Sequence, residues 1–281
     1  MKQKAACIFI GDTYQQIYGW NGAVDSLAKL EKTGAAVRYL TQSFRCPNPV
    51  AEMANRYLRV AGATKPFHGN GEPPKRQRPS VPAFLARSNA LIFLESFFAV
   101  SKGRRPYFLG GFDGYNFDII LDIANAKLGN WGKIRNRFIL DYFTNYQEML
   151  EYAKTDQLFL SRLNIAEQYG KKVFAMYEDI RQNTAGSVQS AGEIFSTAHK
   201  AKGAEWKSVT LGNDFLSLKS TLSKMGNSSK PVTVRKEELN LLYVASTRSK
   251  ATLAVPKEVA LSDKAAASLV AAETSGRLLL M

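Results

Sequence analysis

The chain has 281 residues, long enough to bury a sizeable core in one or two domains, and 45% of them are hydrophobic, as in an ordinary globular protein. Its 38 Lys plus Arg against 24 Asp plus Glu give a formal charge of +14, which points to a polyanionic partner, nucleic acid foremost. Cys7 and Cys46 alone can build neither a disulfide framework nor a metal-binding cluster and fit a reducing cytoplasm, nucleoid or nucleus, and the lack of any apolar run of about 18 residues or of a signal peptide excludes membrane and secreted readings.

In chain order, Cys7-Ile8-Phe9-Ile10 reads as a short buried strand, and Gly11-Asp12 turns the backbone at its carboxyl edge, where open α/β sheets gather ligand-binding groups. Polar groups there tend to meet phosphate, but Asp12 and Gln15 three residues on also form the pattern of a helix capping box. Val37-Arg38-Tyr39-Leu40 reads as a second strand, and the spacing of Val50, Met53, Ala54 and Tyr57 predicts a helix from Asn48 to Leu58, with Pro47 and Pro49 suited to its first turn. The Gly- and Pro-rich stretch from Ala61 to Pro82 is a loop whose Lys75, Arg76 and Arg78 serve either a solvated connection or a DNA-binding arm.

A strand at Ala83–Ala86, a helix from Ala90 to Ser101 and a strand at Pro106–Leu109 give an α/β alternation and hence a parallel sheet. From Asp118 to about Asn183 the apolar spacing is helical throughout. Strands return at Ile194–Ser196 and Ser208–Leu211, followed by a polar loop over 216–235, a helix from Glu237 to Ser246 and a strand at Ala251–Val255. The Ala- and Leu-rich tail carries no motif.

Four stretches stand out as motifs. They are Gly11-Asp12-Thr13-Tyr14-Gln15-Gln16-Ile17-Tyr18-Gly19-Trp20, then Thr41-Gln42-Ser43-Phe44-Arg45, then Ser196-Thr197-Ala198-His199-Lys200-Ala201-Lys202-Gly203-Ala204-Glu205-Trp206, and finally the run from Glu237 to Arg248. In this order they resemble motifs III, IV, V and VI of the UvrD/Rep-type superfamily 1 DNA helicases. The Leu-Thr-Gln-Ser-Phe-Arg and Leu-Ala-Arg-Ser-Asn-Ala stretches are most similar to the F-box DNA helicase branch, although no F-box is present. No Gly-x-x-x-x-Gly-Lys-Ser/Thr phosphate loop occurs, nor an Asp-Glu pair before residue 11, so the chain resembles the carboxyl-terminal part of such a motor.

The resemblance implies an α/β fold: a RecA-like, P-loop NTPase-type parallel sheet (domain 2A), a helical 2B-like insertion and a remnant of domain 1A. The implied boundaries are 1–30 for the end of 1A, 31–117 and 186–262 for the two parts of 2A, 118–185 for the insertion and 263–281 for a tail. It implies ATP as cofactor, with Mg²⁺ held by the absent amino-terminal elements, and single-stranded DNA and DNA junctions as partners. Gln15 matches the γ-phosphate sensor, and Arg45 and Arg248 the two arginines that carry charge stabilisation to that phosphate. Phe44 matches the aromatic that stacks on adenine, and Glu205 a residue near the nucleotide. Lys202 faces nucleotide or DNA phosphate, an open choice. On the DNA side Tyr18 and Trp20 match stacking platforms, which read no sequence, and Thr197, His199 and Lys200, with Arg87 and Asn89, match positions near the backbone. Asn21 and Ala204 depart from the Arg and apolar residue that the family carries. The implied function is a part of an ATP-dependent 3′ to 5′ helicase. The alternative is a non-enzymatic nucleic-acid-binding module, either a split subunit completed by a Walker A-containing polypeptide or a remnant.

Overall fold

The computed structural model describes residues 7–22, 24–73 and 80–281, apart from the side chain of Trp20. The basic group Lys75, Arg76 and Arg78 therefore lies outside the described residues. In chain order the elements are α1 (Ser26–Glu31), α2 (Asn48–Val60), β1 (Ala83–Ala86), α3 (Asn89–Ser101), β2 (Pro106–Phe108) and α4 (Asp118–Lys127). Next come α5 (Arg137–Tyr142), α6 (Tyr146–Ala153), α7 (Gln157–Tyr169), α8 (Lys172–Asn183), β3 (Glu193–Thr197) and β4 (Trp206–Leu211). The chain closes with α9 (Leu218–Asn227), β5 (Val232–Val234), α10 (Lys236–Ser246), β6 (Ser249–Ala254), α11 (Asp263–Thr274) and β7 (Leu278–Leu280). Two compact units result, one formed by Met1–Arg76 with Phe215–Met281 and the other by Gln77–Asp214.

In the second unit the strands lie in the order β2-β3-β1-β4, each parallel to its neighbour. The register pairs Ala86 with Thr197 and Leu85 with Leu211, so β1, β3 and β4 end together at one carboxyl edge. All four residues of β1 are buried, as expected for an inner parallel strand covered on both faces. Ser88 starts α3 by accepting a hydrogen bond from the Leu91 amide, and Asn136, Asn145 and Asp156 cap α5, α6 and α7 in the same way. The last three caps explain why the long apolar stretch from Asp118 to Asn183 becomes several short helices rather than one long one.

The helices α4 to α8 share a single core with the sheet. Phe108 and Phe195 from the strands meet Phe93, Tyr115 and Phe117, and the cluster runs on through Ile139, Met149, Phe159, Val173 and Ile180. Phe108 alone makes ring contacts with Phe112, Tyr115, Phe117 and Phe195 at centroid distances of 5.3–6.1 Å, the edge-on and tilted packing that aromatic quadrupoles favour.

In the first unit α10 packs on α2 and on the turn at Thr13–Gln15, α11 packs on α2 and β7, and β5 pairs in parallel with β7. Leu239, Leu241, Leu242, Val244 and Ala245 bury nearly the whole circumference of α10, which makes it the centre of this unit.

Three sequence expectations fail here. Residues 7–10 form no strand, and Ile8, Phe9 and Ile10 are exposed, because no partner strand among the described residues offers them a hydrogen-bond ladder. Val37–Leu40 is likewise irregular and exposed for the same reason. Conversely, the stretch 216–235 read as a loop holds α9 and β5: Ser217 caps α9, whose Leu218, Thr221 and Met225 are buried at helical spacing. A polar composition concealed that narrow apolar stripe.

Candidate functional site

The first unit carries Gln15, Tyr18, Trp20, Phe44, Arg45 and Arg248. Residues 13–15 form a single 3-10 turn, capped by Asp12, whose Oδ1 accepts from the Tyr14 amide at 2.9 Å. The Gln15 Nε2 donates to Asp12 Oδ2 at 3.0 Å, and the Tyr243 hydroxyl of α10 donates to the same oxygen at 2.7 Å. Two further bonds join this segment to α10: Asn240 Nδ2 donates to the Gln16 carbonyl at 3.0 Å, and the Gly19 amide donates to Glu237 Oε1 at 3.0 Å. Ile17 is fully buried between them in the chain, while Tyr18 is half-buried. Burial, and secondarily the Asp12 charge, pushes the Tyr243 phenol well above its usual range, so it remains a donor at any ordinary pH. The segment is thus tied to α10 at three successive turns, through Tyr243, Asn240 and Glu237, and Gln15 is aimed by a carboxylate that α10 also holds.

A recess of about 350 Å³ opens beside these contacts, lined by Thr13, Gln16, Gly19, Asp25, Lys236, Glu237 and Asn240. Lys236 extends over the Tyr14 ring, 5.2 Å from its centroid.

Phe44 and Arg45 sit on a turn that the segment 67–71 holds in place. The His68 amide donates to the Thr41 carbonyl at 2.7 Å, the Ser43 amide to the His68 carbonyl at 2.8 Å, and the Asn70 amide to the Cys46 carbonyl at 2.9 Å. Gln42 Nε2 adds a bond to the Gly69 carbonyl at 2.8 Å. Cys46 is buried against Val50 and Ala51, which leaves Arg45 on the surface and Phe44 82% exposed. Arg248 behaves differently: it is 2% exposed, and its guanidinium donates to the Val244 carbonyl at 2.9 Å and to Thr247 Oγ1 at 3.1 Å. It satisfies the carboxyl end of its own helix.

The second unit carries Arg87, Asn89, Thr197, His199, Lys200, Lys202 and Glu205. Arg87 and Asn89 follow β1, buried Thr197 ends β3, and His199 and Lys200 follow it, so the parallel register brings them to the same carboxyl edge. Lys202 and Glu205, both exposed, lie farther along the turn that leads into β4. Asp214, absent from the sequence reading, organises this edge: its carboxylate accepts from the Arg87 amide at 2.9 Å, the Ser88 amide at 2.8 Å and the Ser88 hydroxyl at 2.7 Å. Burial raises its pKa, and these three donors oppose the rise.

Tyr115 is the second residue that the sequence did not signal. It is fully buried, its hydroxyl donates to the Leu109 and Phe195 carbonyls, and the Lys200 ammonium lies 4.8 Å from its ring centroid. Asn89 spends its Nδ2 on the Tyr115 carbonyl at 2.9 Å, so part of its role is to hold the turn beneath Lys200. That turn runs through Gly110 and Gly111, both at positive φ, and Gly114, where an added Cβ would come within 2.9 Å of Lys200 Nζ. Neither Asp214 nor Tyr115 lies in one of the four motifs, so no local pattern signals them.

Arg248 as placed offers its guanidinium to its own helix, and no three His, Cys, Asp or Glu side chains come together among the described residues. Nor, among the described residues, is any helix long and apolar enough to cross a membrane.

No family model matches the chain. It is 26% identical over 273 residues to F-box DNA helicase 1 of Gallus gallus, covering 90% of this chain and 27% of that protein. It is 27% identical over 288 residues to F-box DNA helicase protein 1 of Schizosaccharomyces pombe, covering 90% of this chain and 31% of that protein. The chain therefore spans less than a third of the length of either relative. The similarity to these two helicases is distant, covers part of their length and defines no branch.

Proposed function

We propose that this chain is a nucleic-acid-binding module of helicase descent that does not hydrolyse ATP by itself. The observation that carries the reading is the convergence of Arg87, Thr197, His199 and Lys200 at one carboxyl edge of a parallel sheet, in a chain of formal charge +14. The Arg87 and Lys200 cations at such an edge suit phosphate without reading sequence, and in the first unit, taken by itself, Tyr18 and Trp20 are assigned to stacking on unpaired bases. The sheet is the RecA-like domain 2A of the resemblance in this reading, with α4 to α8 as its 2B-like insertion.

The test is titration of a labelled single-stranded oligonucleotide at several salt concentrations. Affinity is expected to fall steeply and linearly on a log-log plot, with a slope that shrinks by about 0.7 when Lys200 is replaced by Ala. ATP turnover with single-stranded DNA is expected to stay at background. A DNA-stimulated turnover lost in Arg248→Ala would overturn the non-enzymatic reading.

A second reading, part of an ATP-dependent 3′ to 5′ motor, is favoured by the contact between Gln15, Asp12 and Tyr243. A buried tyrosine that aims a glutamine through a carboxylate is useful where that glutamine senses a phosphate. In this reading Gln15, Phe44, Arg45 and Arg248 of the first unit serve the nucleotide, Lys202 and Glu205 of the second unit are each assigned to it by the resemblance alone, and a Walker A-containing polypeptide supplies the phosphate loop along with Mg²⁺. Arg248 would have to leave its helix. ATP hydrolysis appearing only when the two polypeptides are mixed, and failing with Arg45→Ala, would favour it over the first.

A further inference from the structure

The segment from Leu128 to Leu140 carries Lys133, Arg135 and Arg137 and not one acidic residue. Ile134 and Asn136 have extended backbone (ψ 133° and 117°), so one extended residue separates Lys133, at the end of a 3-10 turn, from Arg135, and another separates Arg135 from Arg137, the first residue of α5. Ile134 is buried and Asn136 caps α5, while Lys133, Arg135 and Arg137 are all exposed. None of the three is engaged in an ion pair among the described residues, whereas nearby Lys127 is paired with Glu167 at 2.8 Å. Same-side residues of an extended chain stand about 6.6 Å apart, a step comparable to that between neighbouring phosphates of a nucleic-acid strand.

A solvated charge run is the ordinary explanation of such a stretch, but this one is fixed in place. Asp122 of α4, only 5% exposed, turns its carboxylate onto the segment and accepts from the Asn136 amide at 2.7 Å and the Arg135 amide at 3.2 Å. Trp131 packs against the main core from the other end of the segment. A carboxylate is costly to bury, and here it serves to hold the backbone that displays the cations. Directly after them, Phe138 and the 72% exposed Tyr142 pack ring on ring at 5.0 Å on the surface of α5.

We propose that Lys133, Arg135 and Arg137, together with the exposed Tyr142 ring, form a second binding surface for a single nucleic-acid strand, distinct from the sheet edge. The cations take successive phosphates and Tyr142 takes an unpaired base. This inference rests on the nucleic-acid reading above.

The experiment compares the whole chain with the variant Lys133→Ala/Arg135→Ala/Arg137→Ala, using a labelled oligothymidylate, the corresponding abasic strand and a duplex of equal length. The triple variant is expected to bind oligothymidylate about tenfold more weakly and to lose about two from the log-log salt slope, at about 0.7 per phosphate, with unchanged thermal unfolding. Arg135→Lys/Arg137→Lys should keep the slope. Tyr142→Ala should weaken oligothymidylate about tenfold with no change of slope and leave the abasic strand unaffected. Should the triple variant unfold, Lys133→Gln/Arg137→Gln takes its place, with a slope loss of about 1.4 expected. An intact slope in a folded variant of a chain that binds overturns the second surface alone. Weakening of the duplex but not of oligothymidylate replaces it with a duplex contact. A wild-type chain that binds no strand overturns both this inference and the reading on which it rests.

Discussion

At the scale of single residues, Tyr243 and Gly114 are the informative positions. Tyr243 gives its hydroxyl proton to a carboxylate that also receives the Gln15 amide. Tyr243→Phe removes one donor from a charged acceptor, and a loss of about 1–2 kcal/mol in denaturant unfolding is expected. Gly114 tests the other unit. Its φ is not in the left-handed region and its added methyl would meet only the far end of the Lys200 side chain. Gly114→Ala should therefore displace the ammonium at little cost in stability. Single-strand affinity is expected to fall by about the amount lost in Lys200→Ala, or roughly threefold to tenfold for one phosphate contact, and an equal affinity in titration would show that the position of this ammonium is immaterial.

At the scale of elements, short segments that belong to no helix or strand set where the motif residues stand. Gly69 backs the turn that displays Phe44 and Arg45, and a Cβ there would sit 2.5 Å from Pro47 C and Asn48 N. Backbone on that side cannot yield as a lysine tip can. Gly69→Ala is expected to cost about 2–3 kcal/mol in thermal or denaturant unfolding, at the upper end for overpacking. Asp214 plays the corresponding part at the sheet edge, where it satisfies two amides and one hydroxyl at the start of α3. Asp214→Ala leaves these donors without their acceptor, and a loss of about 2–4 kcal/mol is expected, with faster amide exchange at Arg87 and Ser88 as the local readout. Because burial raises the Asp214 pKa on folding, the charged form is disfavoured in the folded state. Its contribution is fully present below the unfolded pKa and is lost as pH rises through the folded one, so wild-type stability should rise more than that of Asp214→Ala on mild acidification.

At the scale of the whole molecule, an excess of positive charge and two separate groups of phosphate-suited residues make salt the informative variable. Binding that depends on sequence but not on ionic strength would contradict both groups together. The aromatic core of the second unit joins the sheet to α4–α8, so this part should unfold as one cooperative body. Phe108→Ala, at the meeting point of four other rings, is expected to cost about 3–5 kcal/mol and to lower the unfolding midpoint of the sheet and the helices alike.

The order of strands and helices from β1 to β4, the helical character of 118–183 and the four motifs were legible in the amino-acid sequence, because apolar periodicity and short polar signatures are local properties. Locality also explains the failures. Cys7–Ile10 and Val37–Leu40 have strand-like composition, but a strand exists only where another backbone offers hydrogen bonds, and none does so among the described residues. The tertiary structure alone decided that Asp12 is shared by Gln15 and Tyr243 across 231 positions of sequence, and that Asp214 reaches back 127 positions to the start of α3. It also decided that Arg248 turns inward on its own helix. Which acceptor a buried donor finds depends on chain segments far apart in sequence, and local pattern carries no record of that choice.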